Sequence, residues 1–268
     1  MDYVYCLLSG FLELAASKKF ASLLKIVKEV LLKFYAFWVF LVFTVFMLVL
    51  LPGIVLPFLI NPRFGWIGYK FLRLWSWIFS KLTFISYTFY GRENFRPGQS
   101  YIYVSNHTSF LDIPGLTMLF PGEYRPLAKK ELLRIPVFGW IARSAAVIVD
   151  RSSGESRKRS MDKLKRMLLE GLSILIFVEG TQNRTKEPLQ PFKDGAFRIA
   201  LDTQQPILPM VVVGAGPLMP PGTIRMHPGH VRLFVGPEIP TAGLGYQDMA
   251  RPKAQTYEVM EKMILDNR

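Results

Sequence analysis

Cysteine is almost absent from this chain, with a single residue, Cys6, among 268. One thiol excludes an intramolecular disulfide and a cysteine-built metal site, and its N-terminal position makes it a poor nucleophile for chemistry elsewhere. Histidine is nearly as scarce, limited to His107, His227 and His230. The last two flank Pro228-Gly229, a dipeptide that breaks helical ligand geometry, and no acid cluster accompanies them, so no metal is expected. There is no internal repeat, no low-complexity tract and no polar linker. Charge is missing altogether from Phe34 to Pro62, and acids are outnumbered overall, 20 Asp and Glu against 33 Lys and Arg.

The resulting net charge of +13 favours acidic partners. The uncharged segment makes anionic phospholipid or a phosphorylated substrate a better match than nucleic acid, for which no reading module is visible. Residues 34–60 exceed the ~20 apolar residues that span a hydrocarbon core, so a membrane location follows, with a reducing cytoplasm on the chain's side. Pro52-Gly53 and Pro57 predict a break that leaves a first helix of about 17 residues and a short second limb, a bent or re-entrant hairpin. Lysines at 18, 19, 25, 28 and 33 precede the segment, and Arg63, Lys70 and Arg73 follow it. With no asymmetry between the flanks, both ends are expected on the cytoplasmic face of the inner membrane. Residues 64–82, carrying Trp66, Trp75, Trp77, Lys70, Arg73 and Lys81, are expected as an amphipathic helix in the headgroup layer. A cleavable leader is disfavoured by the length and late start of the apolar run.

Beyond Tyr87 the pattern becomes α/β: a mixed sheet flanked by helices, with the hydrophobic N-terminal element docked to a membrane. Expected strands are 86–90, 101–105, 146–150, 173–179, 207–213 and 231–235, with helices over 155–171 and around Tyr257, Met260 and Ile264. The division is a membrane-associated N-terminus, 1–82, and a catalytic domain, 83–268.

Asn106-His107-Thr108-Ser109-Phe110-Leu111-Asp112 follows an apolar strand and places a histidine five residues before an acid. A neutral imidazole takes a proton near neutral pH, and a carboxylate on its other nitrogen fixes the tautomer and stabilises the imidazolium. Three further stretches accompany it: Lys129–Gly139 (KKELLRIPVFG), Phe177–Thr181 (FVEGT) and Pro206–Met210 (PILPM). Glycine after Glu179 lets backbone amides approach a ligand, and Arg184, Lys186, Lys193 and Arg198 beyond it suit phosphate oxygens. Further cations, Arg125, Lys129, Lys130, Arg134, Arg143, Arg157, Lys158 and Arg159, are candidates for lipid phosphates or those of coenzyme A. Ser105 and Ser109 are the nucleophiles that a covalent route would need beside His107.

The order and spacing of these four stretches over residues 80–240 resemble the PlsC-type glycerolipid acyltransferases. That resemblance implies His107 as general base and Asp112 as its orienting partner. It implies an acceptor site from 129–139 and 177–184, with Lys130, Glu179, Gly180, Thr181, Gln182 and Arg184 as substrate-binding residues. The implied reaction moves a fatty acyl group from a thioester, acyl-coenzyme A or acyl carrier protein, to lysophosphatidic acid, with no cofactor. The pattern departs at Gln182, where the family carries arginine; Gln182 cannot pair ionically with phosphate, and Arg184 stands two positions on.

Overall fold

The computed structural model describes residues 18–150 and 152–268. Cys6 lies outside the described residues. Helix α1, Lys18–Ile60, runs through both internal prolines without interruption and spans about 65 Å, twice the depth of a hydrocarbon core. The break expected at Pro52 is therefore displaced to Asn61–Phe64, where the Asn61 side chain accepts from Arg63 N at 2.9 Å and a short 3-10 turn starts at Pro62.

Packing explains the displacement. Helix α2, Gly65–Thr83, folds back along the second half of α1. Ile54, just past the proline, is fully buried, and a Cβ at Gly53 would sit 2.5 Å from the Phe71 ring. A proline costs one backbone hydrogen bond, and close helix contacts on both sides of it hold the axis. The Phe43 ring meets Trp75 edge-on at 5.1 Å, while Tyr35 Oη and Trp38 Nε1 donate to the carbonyls of Thr83 and Leu82 at 2.5 and 2.8 Å.

The other side of α2 is fastened to the sheet domain. Arg73 donates to Phe120 O at 2.6 Å and Tyr69 Oη donates to Ala145 O at 3.0 Å, while Trp75 is buried against α1. Of the residues expected at the headgroup layer, Arg73 and Trp75 thus face protein, whereas Trp66, Trp77, Lys70 and Lys81 remain exposed. Helix α1 keeps a broad apolar surface uncovered; Phe37 and Phe40 are both 65% exposed. It is long and apolar enough to cross a membrane.

Strands β1 (Ile85–Tyr90), β2 (Ile102–Ser105), β3 (Tyr124–Lys129), β4 (Val147–Val149), β5 (Ser173–Phe177), β6 (Ile207–Val213) and β7 (Gly229–Val235) form one mixed sheet. Their order is β1-β7-β6-β2-β5-β3-β4, and only β6 and β7 pair antiparallel. Six strands fall within two residues of expectation at their starts. Strand β3 is an addition: Pro126 argues against an interior strand. It is tolerated because β3 changes partner there, pairing β5 through 124–126 and β4 through 127–129.

Helices α3 (Asp112–Leu119) and α4 (Phe138–Ala145) cover one face together with α1 and α2, and their core is continuous with the hairpin. Helices α5 (Gly154–Leu169), α6 (Gly195–Thr203) and α8 (Ala250–Leu265) cover the opposite face; α7 (Ala215–Leu218) is a single turn after β6. The central strand β2 is flanked by β5 and β6; the chain leaves β2 past β5 toward β3 and leaves β5 the other way, past β2 toward β6. That is the switch point at which open α/β sheets hold ligands, beyond the carboxyl ends of the strands.

Candidate active site

The loop after β2 lies at that switch point. Asn106 fixes its start: the side-chain amide donates to Val212 O at 2.9 Å and its oxygen accepts from Val212 N at 2.8 Å, copying a strand pair across to β6. His107 follows, and its Nδ1 lies 2.8 Å from Asp112 Oδ2. Asp112 opens α3 and is fully buried. The same Oδ2 accepts from Thr108 N at 2.7 Å and Ser109 N at 3.0 Å, while Oδ1 accepts from the Thr108 hydroxyl at 3.3 Å. Every contact of this carboxylate is an accepted one, so His107 Nδ1 carries the proton and Nε2 is left to receive one.

The imidazole is held by packing as well, stacked on Phe177 at 4.0 Å between ring centroids, and it keeps 18% of its side chain exposed. Glu179 supports the loop from behind. Its Oε1 accepts from His107 N at 3.1 Å and Oε2 from Gln190 N at 2.9 Å, and the side chain is buried. Burial raises its pKa above the ordinary carboxylate value, opposed by those two amide bonds. Both oxygens are committed to backbone, which makes Glu179 a positioning residue. The sequence signal for Glu179 was its place at the end of β5; the stacking of Phe177 and the pairing of Asn106 had none beyond proximity to the motifs.

Two grooves open near the loop after β2, and His107 itself lines neither. The larger, about 910 Å³, is lined by Phe177, Glu179, Gly180 and Thr181 together with α5 and α6. The smaller, about 580 Å³, is lined by Asn106, Thr108, Asn183, Arg184 and Lys186 together with Gly214, Gly216 and Pro217. The candidate substrate-binding residues are therefore divided: Gly180 and Thr181 face one groove and Arg184 the other. Gly180, at φ +77°, uses its amide to close a turn onto Phe177 O at 2.9 Å. Gln182 Nε2 is buried without a hydrogen-bond partner among the described residues.

Lys130 lines neither groove. Its ammonium reaches Asp150 at 2.9 Å, and Ser152 and Lys130 together pull the Asp150 carboxyl down to about 2. The Lys129–Gly139 stretch packs beside α4 and α1; a Cβ at Gly139 would meet Leu133 O at 2.5 Å, which explains the glycine. Arg125, a candidate for phosphate, is instead buried against Glu123 at 2.5 Å under the rings of Phe58 and Tyr69. Arg159 pairs with Glu155 one turn earlier in α5. The hydroxyls of Ser105 and Ser109 are buried and donate to the carbonyls of Asn106 and Met219, so neither serves His107 as a nucleophile. Both ring nitrogens of His230 are engaged by Ser86 and Thr88 on β1.

Residues 86–213 match the sequence profile of the Acyltransferase family, and the match contains the His107–Asp112 pair, Glu179 and β6. Over those residues the chain is similar to the PlsC-type acyltransferases. Among relatives of this family, the human 1-acyl-sn-glycerol-3-phosphate acyltransferase alpha is 34% identical over 163 residues, 59% of this chain and 56% of that protein. An uncharacterised acyltransferase of Schizosaccharomyces pombe is 33% identical over 177 residues, 65% of this chain and 63% of its own. This chain thus spans less than two thirds of those relatives. In the crystal structure of the 1-acyl-sn-glycerophosphate acyltransferase PlsC from Thermotoga maritima, the same fold covers 90% of this chain and 98% of that one, with a TM-score of 0.71 at 24% identity.

Proposed function

We propose that this acyltransferase moves a fatty acyl group from a thioester to the sn-2 hydroxyl of 1-acylglycerol 3-phosphate, giving phosphatidic acid for phospholipid synthesis. The observation that carries the reading is an imidazole with 18% of its side chain exposed, oriented by a fully buried carboxylate in the loop beyond the central strand. His107 Nε2 takes the acceptor hydroxyl proton as the oxygen attacks the thioester carbonyl. The tetrahedral intermediate then collapses, the carbon–sulfur bond breaks, and the imidazolium returns the proton to the departing thiolate. No enzyme nucleophile is required, in keeping with the engaged hydroxyls of Ser105 and Ser109.

Arg184 and Lys186, in the smaller groove beside Thr108, are the groups to receive the acceptor phosphate. The uncovered face of α1, with Trp66 and Trp77 of α2, docks the chain to the cytoplasmic side of an anionic membrane, where both amphiphilic substrates concentrate. In this arrangement residues 1–82 are the membrane-associated part and 83–268 the catalytic domain. Gln182 in place of the family's arginine favours a second reading, a lysophospholipid with a larger headgroup. Purified protein in mixed micelles, given an acyl thioester with 1-acylglycerol 3-phosphate or with choline- or ethanolamine-bearing lysolipids, decides between them. Diacyl product from the phosphate monoester at least tenfold faster supports the proposal; preference for a capped headgroup supports the alternative; thiol release without acceptor indicates a hydrolase and overturns both.

A further inference from the structure

We infer that the loop between α7 and β7 is a second membrane contact, made by the sheet domain itself, in which Ile224 enters the headgroup layer of an anionic bilayer beside α1. The inference rests on the docking of α1 proposed above. Residues 219–228 of this loop read MPPGTIRMHP. Its centre is a type II turn: Pro221 and Gly222 take the two middle positions, Gly222 has φ +77°, and Thr223 N donates to Pro220 O at 3.2 Å. The Thr223 hydroxyl donates to the same carbonyl at 3.0 Å, and His227 N closes the base of the loop on Leu218 O at 2.9 Å. A loop held by its own turn and prolines presents a side chain at little further cost in ordering. What it presents is Ile224, 85% exposed, and no other large apolar side chain among the described residues is as exposed. Met226, two residues on, packs instead against the core shared with the helical hairpin.

The position of the turn decides what meets it. A lone exposed isoleucine is ordinary on a protein surface, but this one continues an apolar helix face. Its neighbour Arg225 reaches back to α1 and pairs with Glu29 at 3.0 Å. On α1, Ile26, Glu29, Lys33, Phe37 and Phe40 recur at three- and four-residue spacing and share one face. Ile26, Phe37 and Phe40 are 58%, 65% and 65% exposed. The ion pair therefore fastens the loop to the uncovered stripe of α1, and Ile224 carries that apolar surface onto the sheet domain.

Charge agrees with lipid. No acid stands between Gly214 and His230, and Lys33 is exposed on the same face of α1. The turn also lies against Arg184, since a Cβ at Gly222 would be 3.2 Å from Arg184 Nη2. Cations around an apolar tip suit the phosphates of an anionic leaflet. At its other end the loop is tied to the His107 loop, where the Ser109 hydroxyl donates to Met219 O at 2.9 Å. With Ile224 seated at the acyl boundary, Arg184 stands at the depth of lipid phosphates, where an acceptor leaves the leaflet.

The test places one fluorophore at a time in the full chain, with Cys6→Ser removing the native thiol. The sites are Ile224→Cys, Phe37→Cys on the face of α1, and Lys163→Cys on the exposed side of α5, across the sheet. Each protein is reconstituted in vesicles of phosphatidylcholine and phosphatidylglycerol, with or without a spin-labelled lipid that quenches near the headgroup end of the acyl chain. An interfacial side chain sits ~5–10 Å into that boundary, so emission at 224 and at 37 should fall at least ~2-fold with the quencher while emission at 163 holds. Quenching at 37 but not at 224 would overturn the inference and leave docking by α1 standing. Quenching at neither would overturn both. A fluorophore at 224 that becomes shielded as protein concentration rises in lipid-free micelles would mean that a second copy covers the turn, which also overturns the inference.

Discussion

Asp112→Asn separates charge from geometry at the base. Three donors, His107 Nδ1, Thr108 N and Ser109 N, converge on Oδ2, and among the described residues the only hydrogen bond of Oδ1 is to the Thr108 hydroxyl. An asparagine can therefore put its oxygen where Oδ2 is and turn its amide toward the Thr108 hydroxyl, which accepts as readily as it donates. The tautomer and the loop survive, and what disappears is the negative charge beside the imidazolium. At ~4 Å and an effective dielectric of 20, that charge is worth at most about 4 kcal/mol, or ~10³ in rate. Turnover measured in mixed micelles should fall by ~10² to 10³, with the unfolding free energy within about 1 kcal/mol of the parent. Asp112→Ala should lose at least as much activity and also stability, because it leaves those donors buried without an acceptor. An Asp112→Asn protein with turnover within threefold of the parent would mean that the carboxylate only shapes the loop.

Other consequences follow from neighbouring residues. Glu179→Gln sets an amide donor against one of two backbone N–H groups and should cost ~1–3 kcal/mol, read by denaturant unfolding at pH 7. Because burial raises the Glu179 pKa, its contribution is full below the unfolded value and is lost as pH rises through the folded one; the stability advantage over Glu179→Gln should shrink from about pH 4 upward. Lys130→Ala should let the Asp150 carboxyl rise from about 2, seen by NMR titration, while acceptor KM changes less than threefold. Gly68→Leu should loosen the helical hairpin, since a Cβ there would lie 2.6 Å from Ile54 O; a cost of ~1–3 kcal/mol and weaker co-sedimentation with anionic vesicles are expected.

What was legible in the chain differs by the range of the interactions involved. Strand β6 and the His107–Asp112 loop were visible because alternation, apolar runs and a five-residue spacing are local. Strand β3 was not, since the proline within it is harmless only at the point where its partner changes from β5 to β4. Helix α1 passes Pro52 because Ile54 and Gly53 are clamped by α2, a contact between distant segments. Arg125 has the composition of a phosphate ligand, yet Glu123 and two aromatic rings bury it. The cations after Glu179 form one run in sequence, and the fold, with the Asn183 amide donating to His107 O at 2.7 Å, sends them to two different grooves.

Removing the His107 imidazole is the most direct test of the chemistry. Diacyl product formed from acyl thioester and 1-acylglycerol 3-phosphate is measured for the parent protein and for His107→Ala, with folding checked by thermal unfolding. General-base action predicts an acceptor-dependent rate at least ~10² lower in a protein that remains folded. A folded His107→Ala protein that forms product at a rate within threefold of the parent would contradict the assignment of the base.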